Sequence, residues 1–281
     1  MEIGVTVLPH FPKDTTDRNR TSPFAFTGNK FEFRMLGSAF SIAGPNIVLN
    51  TAVAEVLRQF ADVLEGSADF NRDLARLIKK TIRAHKRIIF NGNNYAGEWL
   101  AMAEQRGLSN LKTAACALPA FTSPKSVALF GAHNVFTEAE LHSRCEIMTE
   151  NYCKTLHIEG LTMVDMVKGD IIPACISYQN DLSELLQRKK ALGEYDVSLE
   201  CYFLDKISGL AGGLLKKLDA LENALLTTQT IHSAQALAEF YSENVSAAMA
   251  ELRLVSDELE TLVAKKYWPL PSYAALLYSV V

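Results

Sequence analysis

The 281-residue sequence contains no apolar run long enough to span a bilayer. Its first residues, MEIGVTVLPHF, lack the basic start and the apolar stretch of a secretory signal peptide. The cysteines include no CxxC pair and no zinc-ligand spacing; they are Cys116, Cys145, Cys153, Cys175 and Cys201. These absences predict a cytoplasmic protein with reduced, mostly buried thiols.

The sequence also lacks a strong excess of either charge. Its net charge is −4 and its pI is about 5.9. Such a chain has no electrostatic attraction for a phosphate backbone or an anionic lipid surface, so we expect neither nucleic acid nor a membrane as a partner. A hydrophobic content of 48% with 21% charged residues is typical of a globular protein, and the length suits one large domain or two ordinary ones.

Strand and loop signals are confined to the start of the chain. The stretch GNKFEFRML, residues 28–36, alternates charged with apolar side chains and predicts a strand with one face of each kind. The loop DRNRTSP before it places Arg18 and Arg20 beside a proline. Together with Lys30, Glu32 and Arg34, these cations suit phosphate binding and the carboxylate suits a divalent metal. An exposed basic loop and a solvated strand face fit the same pattern.

Helical signals dominate the remaining sequence. Apolar residues at helical spacing predict helices over 45–65, 70–89 and 96–107, the first with Pro45 in its first turn and the last closed by Gly107. Residues 117–136 hold Pro119, Pro124 and Gly131 and indicate a boundary. We therefore divide the chain into domains 1–136 and 137–281.

The second domain is predicted to be entirely helical. The residues Thr137–Glu140 form a capping box that begins a very long helix, which Pro173 should kink or break. Two later helices carry regular apolar seams and should pack as an antiparallel hairpin, in which three glycines of the first helix, Gly209, Gly212 and Gly213, favour close backbone approach. The seam residues are Phe203, Ile207, Leu210, Leu214, Leu218, Leu221 and Leu225, and Tyr241, Val245, Ala248, Leu252, Val255, Leu259 and Leu262. The predicted fold is α+β overall and mostly α.

Several separated stretches resemble the long, type III class of glutamine synthetases. They are DRNRTSPFAFTGNKFEFRMLGSAFSIAGPN, HKRIIFNGN, ENYCKTLHIEGLTMVDM and YWPLPSYAALLY, in that order along the chain. The resemblance implies that residues 1–136 are the end of a catalytic domain, contributing its short β segment, and that residues 137–281 form a helical C-terminal domain. It further implies ATP-dependent glutamine formation from glutamate and ammonia through γ-glutamyl phosphate, with Mg²⁺ or Mn²⁺, in a ring-shaped homo-oligomer.

The same resemblance implies roles for five residues. Glu32 matches a metal ligand whose ion bridges the ATP phosphates, and Arg34 matches an arginine that binds the substrate carboxylate. Lys30 stands in place of an arginine near the nucleotide, which keeps the charge but loses the bidentate geometry. Arg20 matches an arginine that stabilises the transferred phosphoryl group; the loop differs in length from that of the common bacterial class, so Arg18 and Arg20 could exchange roles.

The other metal ligands and the glutamate-binding glycine loop of this family lie upstream of the strand that carries Glu32. We therefore expect this polypeptide to carry one wall of the site, and to be inactive alone. The alternative is a non-catalytic helical module that oligomerises or binds a partner synthetase.

Overall fold

The computed structural model describes residues 24–26, 31–33, 40–89 and 97–278, and the backbone alone in the first two stretches. Most of the described chain is α-helical. The α-helices are α1 (Ala43–Leu64), α2 (Phe70–His85), α3 (Gly97–Gln105), α4 (Ala114–Ala117), α5 (Pro124–Ala132), α6 (Glu138–Met166), α7 (Ile172–Leu192), α8 (Ser198–Thr227), α9 (Ala234–Phe240), α10 (Ser246–Leu262) and α11 (Tyr273–Tyr278). Short 3-10 segments cover Lys86–Ile88, Leu118–Thr122 and Thr228–Thr230, and π-helical turns cover Val167–Ile171 and Tyr241–Val245.

The described strands are β1 (Phe24–Phe26) and β2 (Phe31–Phe33), which pair in antiparallel fashion. Within the described residues they pair only with each other. An α+β fold needs a sheet that packs as a layer against helices, and a hairpin of two three-residue strands is too small to form one. The prediction of an α+β fold is therefore wrong, whereas the predicted helical C-terminal part is confirmed. Strand-like alternation near the start of the chain did not indicate a β layer.

The chain divides into two compact units. Unit 1 contains the described residues of Met1–Lys112 and Ser123–Leu141, and unit 2 those of Thr113–Thr122 and His142–Val281.

In unit 1, local sequence signals set the helix ends. Pro45 lies in the first turn of α1 as predicted, and the Asp69 carboxylate accepts the Arg72 N–H at the start of α2. Gly107 follows α3 with a φ of +67°, a left-handed conformation that suits glycine, and the Leu108 N–H donates to the Ala103 carbonyl. The predicted end of the third helix at Gly107 is thus confirmed.

The predicted capping box at the start of α6 is also present in unit 1. The Thr137 N–H donates to Oε2 of Glu140 at 2.8 Å, and the Glu140 N–H donates to the Thr137 hydroxyl at 3.3 Å. Each residue thereby satisfies a backbone donor that the first helical turn leaves unpaired.

Unit 2 has the apolar core that the seam pattern predicts. Helix α10 packs along α8, and all of the predicted seam residues belong to one apolar cluster. The helices run antiparallel, since Lys217 pairs with Glu251 while the earlier Lys206 pairs with the later Glu258. The predicted helical hairpin is confirmed.

Pro173 does not end the long helical segment that begins at Glu138. A π-helical turn, Val167–Ile171, precedes α7, and Pro173 lies in the first turn of that helix. The Ile172 N–H donates to the Val167 carbonyl, so the π-helical turn carries the backbone hydrogen bonding up to the proline, and helical structure continues to Leu192. Of the predicted kink or break, the break is therefore absent, and the regular α-helical pattern is interrupted instead by the π-helical turn just before Pro173.

The glycines of α8 are not points of close approach. A Cβ atom added at Gly209, Gly212 or Gly213 would meet no atom within 4 Å. The tight position in unit 2 is Gly160 of α6, where an added Cβ would lie 3.1 Å from the Leu225 side chain. The close contact therefore involves a glycine of α6 that the sequence pattern did not identify.

Candidate functional site

The site predicted from the sequence falls mostly outside the described residues. Four of the five predicted site residues are not described by the structure: Arg18, Arg20, Lys30 and Arg34. Glu32 lies in β2, where its backbone pairs with that of Ala25. The hairpin thus places one of the predicted residues on a strand, and the roles of all five remain predictions.

A polar cluster occurs elsewhere in unit 1, where α1 packs against α5. The carboxylate of Glu55 accepts hydrogen bonds from Nε and Nη2 of Arg58 at 3.0 and 2.9 Å. The Gln59 amide nitrogen lies 2.8 Å from Oε1, and His133 Nε2 lies 2.8 Å from Oε2. Arg58 also donates through Nη1 to Asp62 at 2.7 Å. Because Glu55, Arg58 and Gln59 are three and four positions apart, one face of α1 presents them together.

The electrostatics of this cluster favour an ionised carboxylate. The hydrogen bond from Arg58, aided by those from Gln59 and His133, holds the pKa of Glu55 well below the usual range of a glutamate. The side chains of Glu55 and His133 are each only one-fifth exposed. With donors on both oxygens, Glu55 is suited to connecting α1 to the end of α5 rather than to coordinating a metal or accepting a proton from a substrate.

The sequence analysis missed this contact. Glu55 and His133 are 78 positions apart, and neither lies in a motif. The only local indication was that the charged residue Glu55 interrupts an otherwise apolar stretch of helix. That indication did not identify His133 as its partner.

In unit 2, the thiols and ionisable groups form no catalytic arrangement among the described residues. Burial raises the pKa of the Cys175 thiol to about 11 and also raises that of Cys153, so both favour the unreactive protonated form. The expectation of mostly buried thiols holds for these two and fails for Cys116, which is exposed. The Cys145 thiol donates to the Leu118 carbonyl, a structural role. No group of three or more metal-ligating side chains occurs in the described part of the chain.

Two further contacts in unit 2 join distant parts of the chain. The Tyr241 hydroxyl, at the start of the second π-helical turn, lies 2.9 Å from Nδ1 of His157. Asp181 of α7 accepts hydrogen bonds from Lys266 and Tyr267, which follow α10. Both contacts connect elements that surround the core.

The helices carry no sign of a membrane span: none of those described combines the length and the apolar character needed to cross a bilayer.

Known proteins similar to this chain include glutamine synthetases. The family described as the glutamine synthetase C-terminal domain matches residues 73–190. A type-3 glutamine synthetase of Dictyostelium discoideum is 38% identical over 288 aligned positions, which include 99% of this chain. Glutamine synthetases of Butyrivibrio fibrisolvens and Bacteroides fragilis are 38% and 33% identical over 96% and 99% of the chain.

The match covers only part of each relative. The chain spans 39% of the Dictyostelium and Butyrivibrio proteins and 40% of the Bacteroides protein. The resemblance seen in the sequence is confirmed: residues 73–190 belong to the glutamine synthetase C-terminal domain family, and the chain as a whole is related to the type-3 glutamine synthetases.

Proposed function

We propose that this chain forms part of a glutamate–ammonia ligase that makes glutamine with ATP through γ-glutamyl phosphate. The observation that carries the proposal is the alignment of 99% of the chain with a type-3 glutamine synthetase at 38% identity. The substrates are glutamate, ammonia and ATP, and the working enzyme is a homo-oligomer, in keeping with a family whose sites lie between subunits.

The residues that carry the chemistry are Arg18, Arg20, Lys30, Glu32 and Arg34. Phosphoryl transfer depends mainly on positioning and on neutralising charge around the transferred group. In our proposal Arg20 and Arg18 neutralise the phosphoryl group, Lys30 binds the nucleotide and Arg34 binds the glutamate carboxylate. The remaining catalytic domain, 1–136, positions them, and the helical domain, 137–281, supports the assembly.

Magnesium or manganese would stabilise the charge on the ATP phosphates in such an enzyme. Glu32 is one carboxylate, and no group of three or more metal-ligating side chains occurs among the residues whose side chains the structure describes, which do not include Glu32. We derive no step from the ion. Glu32 would supply one of its ligands in a longer protein.

The chain spans about two fifths of its relatives, so we expect the remaining part of a synthetase to be needed for turnover. The test is glutamine formation by the purified 281-residue chain, alone and co-expressed with the part of the Dictyostelium discoideum protein that the match does not cover. We expect ATP- and ammonia-dependent glutamine only from the combined proteins. Turnover by the chain alone would contradict the expected incompleteness, and inactivity of a well-folded combined enzyme would contradict the ligase proposal.

Glu32→Gln tests the site within the combined enzyme. We expect it to abolish metal-dependent turnover while the protein remains folded, because the amide keeps the shape and removes the charge. Glu65→Gln, at the exposed end of α1, is the matched control and should retain activity. Full activity and unchanged metal affinity in Glu32→Gln would overturn the assignment.

A non-catalytic role is the second candidate, and the continuous apolar core of unit 2 favours it. A helical unit with its own core is suited to oligomerisation or to binding a partner synthetase. In that case the chain would bind or assemble without restoring turnover to the remaining part of a synthetase, which the same co-expression experiment distinguishes.

A further inference from the structure

The turn that joins α7 to α8 exposes four large apolar side chains. Leu192 is 77% exposed, Tyr195 60%, Leu199 63% and Tyr202 53%. They lie within residues 189–202, which we call the hairpin tip. Scattered single apolar residues are ordinary on a protein surface, whereas a concentration of four around one turn is typical of an interaction site.

The interior of the hairpin tip is polar. The Lys189 ammonium donates to Oε1 of Glu200 at 2.5 Å and to the Asp196 carbonyl at 3.3 Å. Glu200 is only 4% exposed, and the hydrogen bond from Lys189 lowers the pKa of its carboxyl. The ion pair therefore occupies the space between the two helices, and the apolar side chains lie on the outside.

The core of unit 2 does not extend to the hairpin tip. The last ion pair between α10 and α8 in this direction joins Glu258 to Lys206, and α10 ends one turn later at Leu262. The segment after α10 contacts α7 at Asp181, well before the tip. Among the described residues of unit 2, the ion pairs that α10 and the segment after it make with α7 and α8 therefore lie before the tip.

The charges at the tip are arranged for contact with an identical surface. Lys190 and Glu194 lie two positions before and two positions after Leu192, and both are exposed. Neither forms an ion pair with another described residue, in contrast to Arg188, which pairs with Glu184, and Lys189. In an antiparallel meeting of two copies, Lys190 of each would face Glu194 of the other while the two Leu192 side chains meet. A contact of this kind is self-complementary, as a two-fold axis requires.

The backbone at the centre of this segment permits such an approach. Gly193 has a φ of +140°, and an added Cβ would meet no atom within 4 Å. Apart from its two chain neighbours, no described residue fills the space beside it.

We propose that the hairpin tip, residues 189–202, is a self-association surface at which two copies of this chain meet about a two-fold axis near Leu192. Apolar contact between Leu192, Tyr195, Leu199 and Tyr202 supplies the attraction, and the Lys190–Glu194 pairs set the orientation. The proposal does not depend on the ligase function, because it concerns assembly alone.

Two single charge reversals and their combination test this surface, with the strength of self-association measured by sedimentation equilibrium. Lys190→Glu and Glu194→Lys should each weaken self-association by about tenfold, because each places like charges opposite one another at two symmetric positions. The double variant should restore association to near the parental value. Lys216→Glu, an exposed position on α8 away from the tip, is the matched control and should leave association unchanged.

Leu192→Ser tests the apolar contribution. Because Leu192 is largely exposed in the single chain, the substitution should leave the helical content and thermal unfolding of the protein unchanged. It should weaken self-association by about a hundredfold, since both copies lose a buried leucine. The proposal is overturned if the chain is monomeric throughout its soluble range. It is equally overturned if the single charge reversals have no effect, or if the double variant fails to recover.

Discussion

Units 1 and 2 are both helical, and they differ in what their apolar residues do. In unit 2, α8 and α10 bury leucines completely, including Leu214, Leu221, Leu252 and Leu259. Among the described residues of unit 1, only Thr51, Phe130 and Leu141 are buried. Helical periodicity therefore predicts a helix in both units and predicts a core in only one.

Helix α1 shows the reason for the difference. It leaves large apolar side chains exposed, namely Val48, Val53, Val56, Leu57 and Val63, while Thr51 is buried and Glu55 contacts His133. The shielded side of α1 thus includes polar side chains, Thr51 and Glu55, beside partly exposed apolar ones such as Ile47 and Phe60. In unit 2, by contrast, the apolar seams of α8 and α10 pack against each other. We infer that unit 2 is stable through its own core and that unit 1 is held by local and polar contacts.

The largest effect is expected from a charge in the core of unit 2. Leu252→Asp would bury an unpaired carboxylate at a position with no exposure, which should lower the free energy of unfolding by about 3–5 kcal/mol. The matched control is Leu254→Asp, on the same helix but 64% exposed, for which we expect a change within about 0.5 kcal/mol. Urea unfolding followed by circular dichroism measures both, and equal effects would mean that the two faces of α10 are assigned wrongly.

A smaller effect is expected from two glycines in unit 2. Gly160→Leu should destabilise the protein by about 1–3 kcal/mol, because even its Cβ would press on Leu225. Gly212→Leu introduces the same side chain where an added Cβ meets open space, and it should stabilise the protein by about 0.5–1 kcal/mol through helix propensity. Thermal unfolding of the two variants gives the comparison. A stabilised Gly160→Leu would show that α6 and α8 are not closely packed there.

The third prediction concerns pH and unit 1. The pKa of Glu55 is lowered in the folded state, so its contribution to stability is present above the usual glutamate range and is lost as the pH falls through the lowered value. We expect amide exchange in α1 to accelerate, relative to neutral pH and after correction for intrinsic rates, as the pH drops below about 4.3. In Glu55→Gln this pH-dependent part should disappear and α1 should exchange faster at neutral pH. An identical pH profile in the variant would argue against the Glu55–His133 connection.

The sequence predicted the seam of unit 2 because both partners carry the 3–4 spacing of packed helices within the same stretch of chain. It also predicted the capping box at Thr137 and the end of α3 at Gly107, since these depend on neighbouring residues alone. The pairing of Glu55 with His133 was not predictable, because no local pattern links residues so far apart. The α+β prediction failed for a similar reason: alternation indicates a strand locally but does not supply the neighbouring strands that make a sheet.

The candidate site shows the same limit of prediction from local sequence patterns. Residue type and order sufficed to recognise the family from the stretch around Glu32, because those motifs are read along the chain. The contribution of Arg18, Arg20, Lys30 and Arg34 depends on groups that surround them in space, which spacing along one strand and one loop does not specify. Their roles therefore stay predictions until the combined enzyme is assayed.

Native-state hydrogen exchange of the purified chain, resolved by residue, tests the difference between the units most directly. We predict that amides of α8 and α10, in particular those near Leu218 and Leu252, exchange only through global unfolding of unit 2. Amides of α1 near Val53 and Leu57 should exchange much faster, through local opening, because these large apolar side chains are exposed and α1 has no fully buried apolar residue. Equal protection of α1, α8 and α10 in the chain alone would contradict the account, since it would mean that unit 1 is as stably packed as unit 2.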